Sequence, residues 1–129
     1  MADEVGGYFT LLDVEIRSGG FGVVRKGIDR RDGTFVAVKF ITGKSDELSR
    51  KVFERERRGL QDLSHPHIVP VRSSGIDDSG TYFIVLDWVD KNLDEVLDEN
   101  GPWQSWDQLC KDIALPLIDA LAYAHLKQV

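Results

Sequence analysis

Thr34-Phe35-Val36-Ala37-Val38-Lys39-Phe40-Ile41 is the stretch on which the fold turns. It is β-branched and aromatic, and it has the length of a buried strand. Alternation places Lys39 on the same face as Phe35, Ala37 and Ile41. An ammonium among apolar side chains needs a partner, because an unpaired buried charge is costly. The chain supplies one candidate. Glu56 lies in the helical stretch Ser45 to Leu63, on the apolar stripe of Phe53, Leu60 and Leu63, with no basic residue three or four positions away. Glu54 is the contrast: Arg50, Lys51, Arg57 and Arg58 surround it at those spacings, so it belongs to a solvated, charge-laced face. Lys39 and Glu56 are therefore expected to pair with each other.

Working outward, Phe9 to Ile16 reads as a strand and Ser18-Gly19-Gly20-Phe21-Gly22 as a glycine turn. Val23 to Ile28 returns as the second arm of a hairpin. Asp29-Arg30-Arg31-Asp32-Gly33 is the turn that leads into the Lys39 strand. Asp46 and Glu47 in the first turn of the Glu56 helix have the sign its dipole favours. Pro66 stops that helix, with Ser64-His65-Pro66-His67 as its exit. Ile68 to Val71 is short and extended, and Thr81 to Trp88 is a strongly apolar strand. After Val89 the character changes: an acidic stretch with a short helix at Asn92 to Leu97, a break at Gly101-Pro102, then a long helix from Trp106 to Lys127. Pro116 falls inside that helix and should kink it or force a local adjustment.

Composition narrows the function classes. The chain has 129 residues, enough for one domain or one domain and part of another, and its apolar fraction of 42% suffices for a core. A net charge of −6 argues against nucleic acid or an anionic membrane as the main partner. Cys110 is the single cysteine, which excludes an internal disulfide and a cysteine zinc site. The start, Met1-Ala2-Asp3-Glu4, has no apolar targeting core, and no apolar run approaches membrane-spanning length. The expectation is a cytoplasmic chain with no membrane segment. His65 and His67 flank a proline without nearby cysteines, a poor metal site.

Two nucleotide motifs are rejected on context. A Rossmann turn opens a helix, whereas Val23-Val24-Arg25 continues as strand. Gly43-Lys44-Ser45 imitates the end of a Walker A loop, but Val38 stands where its first glycine belongs. What remains is a glycine hairpin, a strand bearing Lys39 and a helix bearing Glu56. Glycines there let backbone N–H groups approach a phosphate. The alternative is a buried ion pair that only fixes helix on sheet, although such pairs seldom improve on an apolar contact.

This arrangement resembles the N-terminal lobe of a eukaryotic-type (Hanks-type) Ser/Thr protein kinase. Ile16-Arg17-Ser18-Gly19-Gly20-Phe21-Gly22-Val23-Val24 is similar to the glycine-rich loop G-x-G-x-x-G-x-V, and Val36-Ala37-Val38-Lys39 to the V-A-I-K strand. Glu56, Leu60 and Leu63 to Val69 resemble helix C and its exit, and Ile84 to Val89 resembles the last strand and the hinge. Ala120 to His125 is similar to the helix before the catalytic loop. The resemblance implies an α+β fold: a five-stranded antiparallel sheet with helix C, followed by C-lobe helices D and E. It divides the chain into a tail (1–8), an N-lobe with hinge (9–89) and the start of a C-lobe (90–129).

The implied cofactors are ATP and Mg2+, and the implied partner is a protein substrate of the parent kinase. Lys39 and Glu56 would be the catalytic residues, Lys39 also holding phosphates. Gly19 and Gly22 would cover the phosphates. Ile16, Val24 and Ala37 would pack on adenine, with Leu86 at the back. Asp87 and Val89 would bond the base through their backbones, and Leu60 and Val71 would belong to the regulatory hydrophobic spine. Two departures stand out. Arg17 occupies the first glycine position of the loop. Neither H-R-D-x-x-x-x-N nor D-F-G occurs in the sequence, Arg30-Arg31-Asp32 being a decoy in a hairpin turn, so the metal ligands are not in this chain. The expectation is an ATP-binding portion that is inactive alone. The competing expectations are a non-catalytic interaction or regulatory module, self-associating through Ile113, Leu117 and Leu121, and a free-standing ATP-binding protein.

Overall fold

The computed structural model describes residues 3–20, 22–42 and 46–129. Phe21 of the glycine turn, Ser45 at the expected helix start and the Walker-like Gly43-Lys44-Ser45 lie outside the described residues. So do Met1 and Ala2.

The described chain falls into two units: Met1–Asp62 with Pro70–Trp88, and Leu63–Val69 with Val89–Val129. The first is an α+β unit. Its strands are β1 (Asp3–Val5), β2 (Phe9–Leu11), β3 (Arg17–Gly19), β4 (Gly22–Asp29), β5 (Thr34–Ile41), β6 (Val71–Ile76) and β7 (Tyr82–Asp87), with helix α1 (Asp46–Gln61) between β5 and β6. All seven strands form one sheet in the order β1-β2-β4-β5-β7-β6, with β3 also paired to β4. Every pairing is antiparallel.

The sheet has two strands more than the five expected. One is β1, drawn from the segment expected as a tail and held in place because Val5 is buried. The other is β3: the strand expected over Phe9 to Ile16 stops at Leu11, and Arg17–Gly19, which runs into the expected glycine turn, pairs with β4 instead. Phe9 and Leu11 are buried and keep β2 on β4, and Leu12 still donates its N–H to Lys26 O at 2.9 Å. Asp13, Val14 and Glu15 then leave the ladder into solvent, and Glu15 takes a left-handed φ of 54°. The pattern has no buried apolar residue there to hold register. The extended segment expected at Ile68 to Val71 also moves, the strand being Val71–Ile76.

Alternation along β5 builds the core on both faces. Val36 and Val38 join Val5, Phe9, Leu11, Phe83 and Val85 on one face. Ile41 turns to the other, where it meets Ile84 and Phe53 of α1, flanked by Val52, Val71, Tyr82 and Leu86. Phe53 stacks on Tyr82 with ring centroids 4.8 Å apart. Leu60 is half-buried, while α1 ends at Gln61, so Leu63 is not on its stripe.

In the second unit, α2 (Leu93–Asn100) opens on a capping box: the Asn92 side chain accepts from Glu95 N–H and the Glu95 side chain accepts from Asn92 N–H. Gly101 closes it at φ 74°. The long helix expected over Trp106 to Lys127 is α3 (Trp106–Leu109), a π-turn (Cys110–Ala114) and α4 (Leu115–Leu126). Pro116 accounts for the break, since it has no N–H to give the ladder and its ring crowds the carbonyl four residues back. The widened turn resolves this, with Leu115 N–H reaching Cys110 O. Leu63–Val69 joins this unit rather than the first because Ser64 N–H donates to Tyr123 Oη at 2.9 Å and His65 Nε2 meets Asp119 Oδ2 at 3.1 Å. No described helix is long and apolar enough to cross a membrane.

Candidate nucleotide-binding site

Packing of Phe53 against Ile41 and Ile84 seats α1 on the sheet, and Glu56 follows three residues later on the same side of the helix. In the sheet, Lys39 stands directly opposite Val24 on β4 and Ile84 on β7. Lys39 Nζ then donates to Glu56 Oε1 at 2.8 Å and Oε2 at 3.0 Å. The two side chains keep 26% and 27% of their surface exposed, so the pair is half-buried. Glu54, the contrast, has Arg50 at 3.8 Å on the solvated face.

Cross-strand pairing assembles the surface beside this pair. Directly opposed residues share a face, so Val24 lies with Lys39 and Ala37 with Leu86. All are half-buried. Four of the site residues named from the sequence are thus brought to one face by two ladders. Asp87, two residues after buried Val85, turns its side chain to the opposite face and offers this one only backbone. Ile16 is exposed just before β3. Val89 belongs to the second unit and is exposed.

Gly19 pairs with Gly22 across the β3–β4 ladder. A Cβ added at Gly19 or Gly20 would meet nothing within 4 Å. Gly22 differs. It has φ 144°, and a Cβ there would lie 1.8 Å from Phe40 O. Arg17, opposite Val24, sets its guanidinium 6.0 Å from the centroid of the Trp88 ring. Lys26 Nζ lies 4.8 Å from the same centroid and 4.2 Å from that of Phe35, and pairs with Glu15 at 3.4 Å.

An apolar face with an ammonium at its end has the chemistry to take an aromatic ring followed by phosphates. A divalent cation finds no such set: among the described residues no group of three or more His, Cys, Asp or Glu is placed to hold a metal ion.

The protein kinase domain profile matches residues 12–129. The chain belongs to the protein kinase domain family. Its relatives include the serine/threonine-protein kinase PknK of Mycobacterium tuberculosis (strain ATCC 25618 / H37Rv), 37% identical over 113 residues that are 86% of this chain and 10% of PknK. The serine/threonine-protein kinase PrkC of Bacillus subtilis (strain 168) is 30% identical over 129 residues, 97% of this chain and 19% of PrkC. The crystal structure of the PknI kinase domain of Mycobacterium tuberculosis superposes with a TM-score of 0.66 at 26% identity, covering 92% of this chain and 48% of that one. The chain thus spans about half of that solved kinase domain and a small share of the curated relatives. It is a Hanks-type Ser/Thr kinase sequence.

One charged cluster of this kinase chain escapes a local reading. Asp29 is buried, and Arg31 grips it with Nε on Oδ1 at 3.0 Å and Nη2 on Oδ2 at 2.8 Å. The Arg31 guanidinium beside it holds the Asp29 carboxyl far below the usual carboxylate range, with the Arg31 N–H and Arg72 helping against burial. Arg72 arrives from β6, 43 positions away. The turn signal at Asp29 to Gly33 was plain, but no spacing rule connects it to Arg72.

Proposed function

We propose that this chain is the ATP-gripping portion of a serine/threonine protein kinase. The observation that carries the reading is the Lys39–Glu56 pair at 2.8 Å, set at the end of the face made by Val24, Ala37 and Leu86. Lys39 Nζ would bond oxygens of the α- and β-phosphates, and Glu56 would hold that ammonium in place against its own flexibility. The apolar face would take adenine, and the Asp87 backbone its polar edge. Gly19 and Gly20, open on their outer side, would let the loop lie over the phosphates.

The parent kinase would transfer the γ-phosphoryl of Mg-ATP to a protein hydroxyl. These 129 residues contain neither the H-R-D nor the D-F-G motif. The base and the metal ligands that carry most of the electrostatic stabilisation are therefore not supplied, and the chain by itself transfers no phosphoryl group. Titration calorimetry with ATP tests the reading. Wild type should bind and Lys39→Met should not; equal heats from both would end it. A steady rate of phosphorylation by kinase-free material would overturn the inactivity.

One observation favours a second reading, a non-catalytic interaction module. Leu115, Leu117, Ile118 and Leu121 on α4 are exposed. Such a face favours self-association. A concentration-independent monomer in sedimentation would remove that reading and leave the first untouched.

A further inference from the structure

Between β6 and β7 the register slips. Val71 faces Leu86 and Ser73 faces Val85, so Arg72 is the extra residue of a β-bulge. A bulge frees a residue from the ladder and re-aims its side chain. Arg72 uses this freedom to span three strands. Its Nε donates to Asp87 Oδ1 at 2.5 Å, and its Nη1 donates to Asp29 Oδ2 at 3.1 Å and Asp32 Oδ2 at 2.9 Å. Asp29 ends β4, Asp32 lies in the β4–β5 turn, and Asp87 ends β7.

The β5 ladder pairs Val36 with Asp87 and Ala37 with Leu86, and further backbone bonds hold the end of β7. Asp87 N–H reaches Pro70 O at 3.2 Å, and Trp88 N–H reaches Phe35 O at 3.4 Å. Both are at or beyond the long end of the hydrogen-bond range, whereas the Arg72–Asp87 contact is charge-assisted, a class roughly twice as strong as a neutral bond. A side chain on the face opposite Lys39 thus reinforces the ladder at the end of β7. Electrostatics sharpen the point. Without Arg72, the carboxylates of Asp32 and Asp87 would lose this guanidinium, while Arg31 is already engaged by both oxygens of Asp29. Repulsion would push Asp87 outward.

We propose that Arg72 is a positioning residue for the nucleotide site: by clamping the Asp87 carboxylate from behind, it fixes the Asp87–Trp88 backbone against which adenine binds. This rests on the ATP reading above. Because the clamp acts at the base and not at the phosphates, its loss weakens adenosine and ATP by the same factor.

The experiment measures dissociation constants of adenosine and ATP for the full chain and four variants. Arg72→Met should weaken both ligands by about tenfold. Added salt should narrow the gap by screening the three carboxylates. Asp87→Ala keeps the backbone and leaves Arg72 on Asp29 and Asp32, so it should weaken both ligands likewise, and it decides the matter if Arg72→Met does not fold. Asp32→Asn loosens only the turn and should lower the melting temperature without moving either constant. Lys39→Met should weaken ATP and spare adenosine. Wild type that binds while Asp87→Ala binds equally well overturns the clamp and leaves the ATP reading standing. A loss confined to ATP, or an Asp32→Asn loss as large as that of Asp87→Ala, also overturns it. Wild type that binds neither ligand removes the ATP reading and the clamp together.

Discussion

Gly22 approaches Phe40 so closely that a single methyl group would sit 1.8 Å from the Phe40 carbonyl oxygen. The glycine at this position is thus required by the sheet itself. β4 begins at Gly22 with φ 144° while facing Ile41 across the ladder, and only a residue without Cβ tolerates that backbone beside β5. Gly19, three residues earlier, has no such neighbour. The loop is anchored at one glycine and open at the other.

The two glycines should therefore respond oppositely to the same methyl. Gly22→Ala should destabilise by about 3 kcal/mol or more, since both the dihedral and the contact are forbidden. Gly19→Ala should stay within about 0.5 kcal/mol. Chemical denaturation of both variants checks this. Equal stability would mean that the Gly22–Phe40 approach does not exist in solution.

The Lys39–Glu56 pair lies between the two regimes of ion-pair energetics. Exposed pairs contribute little, and breaking a buried pair is severe. With 26% and 27% of their side chains exposed, these partners belong in between. Glu56→Gln should cost on the order of 1–2 kcal/mol of stability. Its larger effect should fall on ATP, because Lys39 loses the carboxylate that aims it. A stability loss with unchanged ATP affinity would reduce the pair to a brace between helix and sheet.

How much of this was readable beforehand follows from which interactions are local. The apolar strand at Thr34 to Ile41, the unpaired acid at Glu56 and the contrast with Glu54 are visible because strand and helix periods are fixed by the backbone. They led to the right sheet, the right helix and the pair. Pro116 announced a break, and the π-turn is how the chain met it. The end of β2 at Leu11 and the start of β3 at Arg17 were not legible, since they depend on which residues find a ladder partner on β4. Arg72 was not legible at all. Its three carboxylates come from a distant turn and a neighbouring strand, and a bulge, which no periodicity reveals, aims it at them.

Acid should unfold the first unit through Asp29. Its folded pKa is depressed by Arg31 from the ordinary 3.8, so its stabilising effect is fully present above that value and is lost as pH falls toward the lower folded one. Asp29→Asn should lower stability at neutral pH. The difference from wild type should stay constant above about pH 5 and shrink steadily below it. Melting curves of both proteins at stepped pH measure this. A gap that persists unchanged to the lowest pH would assign the loss to packing instead of charge.

Arg17 stands where the family's loop has its first glycine, and the structure gives it an occupation: its guanidinium lies over Trp88 while Lys26 approaches the same ring. The contact ties the base of the loop to the end of β7. Restoring glycine removes one cation–π contact and adds backbone freedom within a strand, which together should cost about 1–2 kcal/mol. The ring also loses cover. In a chain where Trp103→Phe and Trp106→Phe leave Trp88 as the sole indole, Arg17→Gly should raise acrylamide quenching of its fluorescence. A loop no longer tethered to β7 should open more readily, so ATP should dissociate faster from the variant while adenosine affinity changes less. Quenching that does not change would place Arg17 away from the ring in solution, and the faster dissociation would then have no cause.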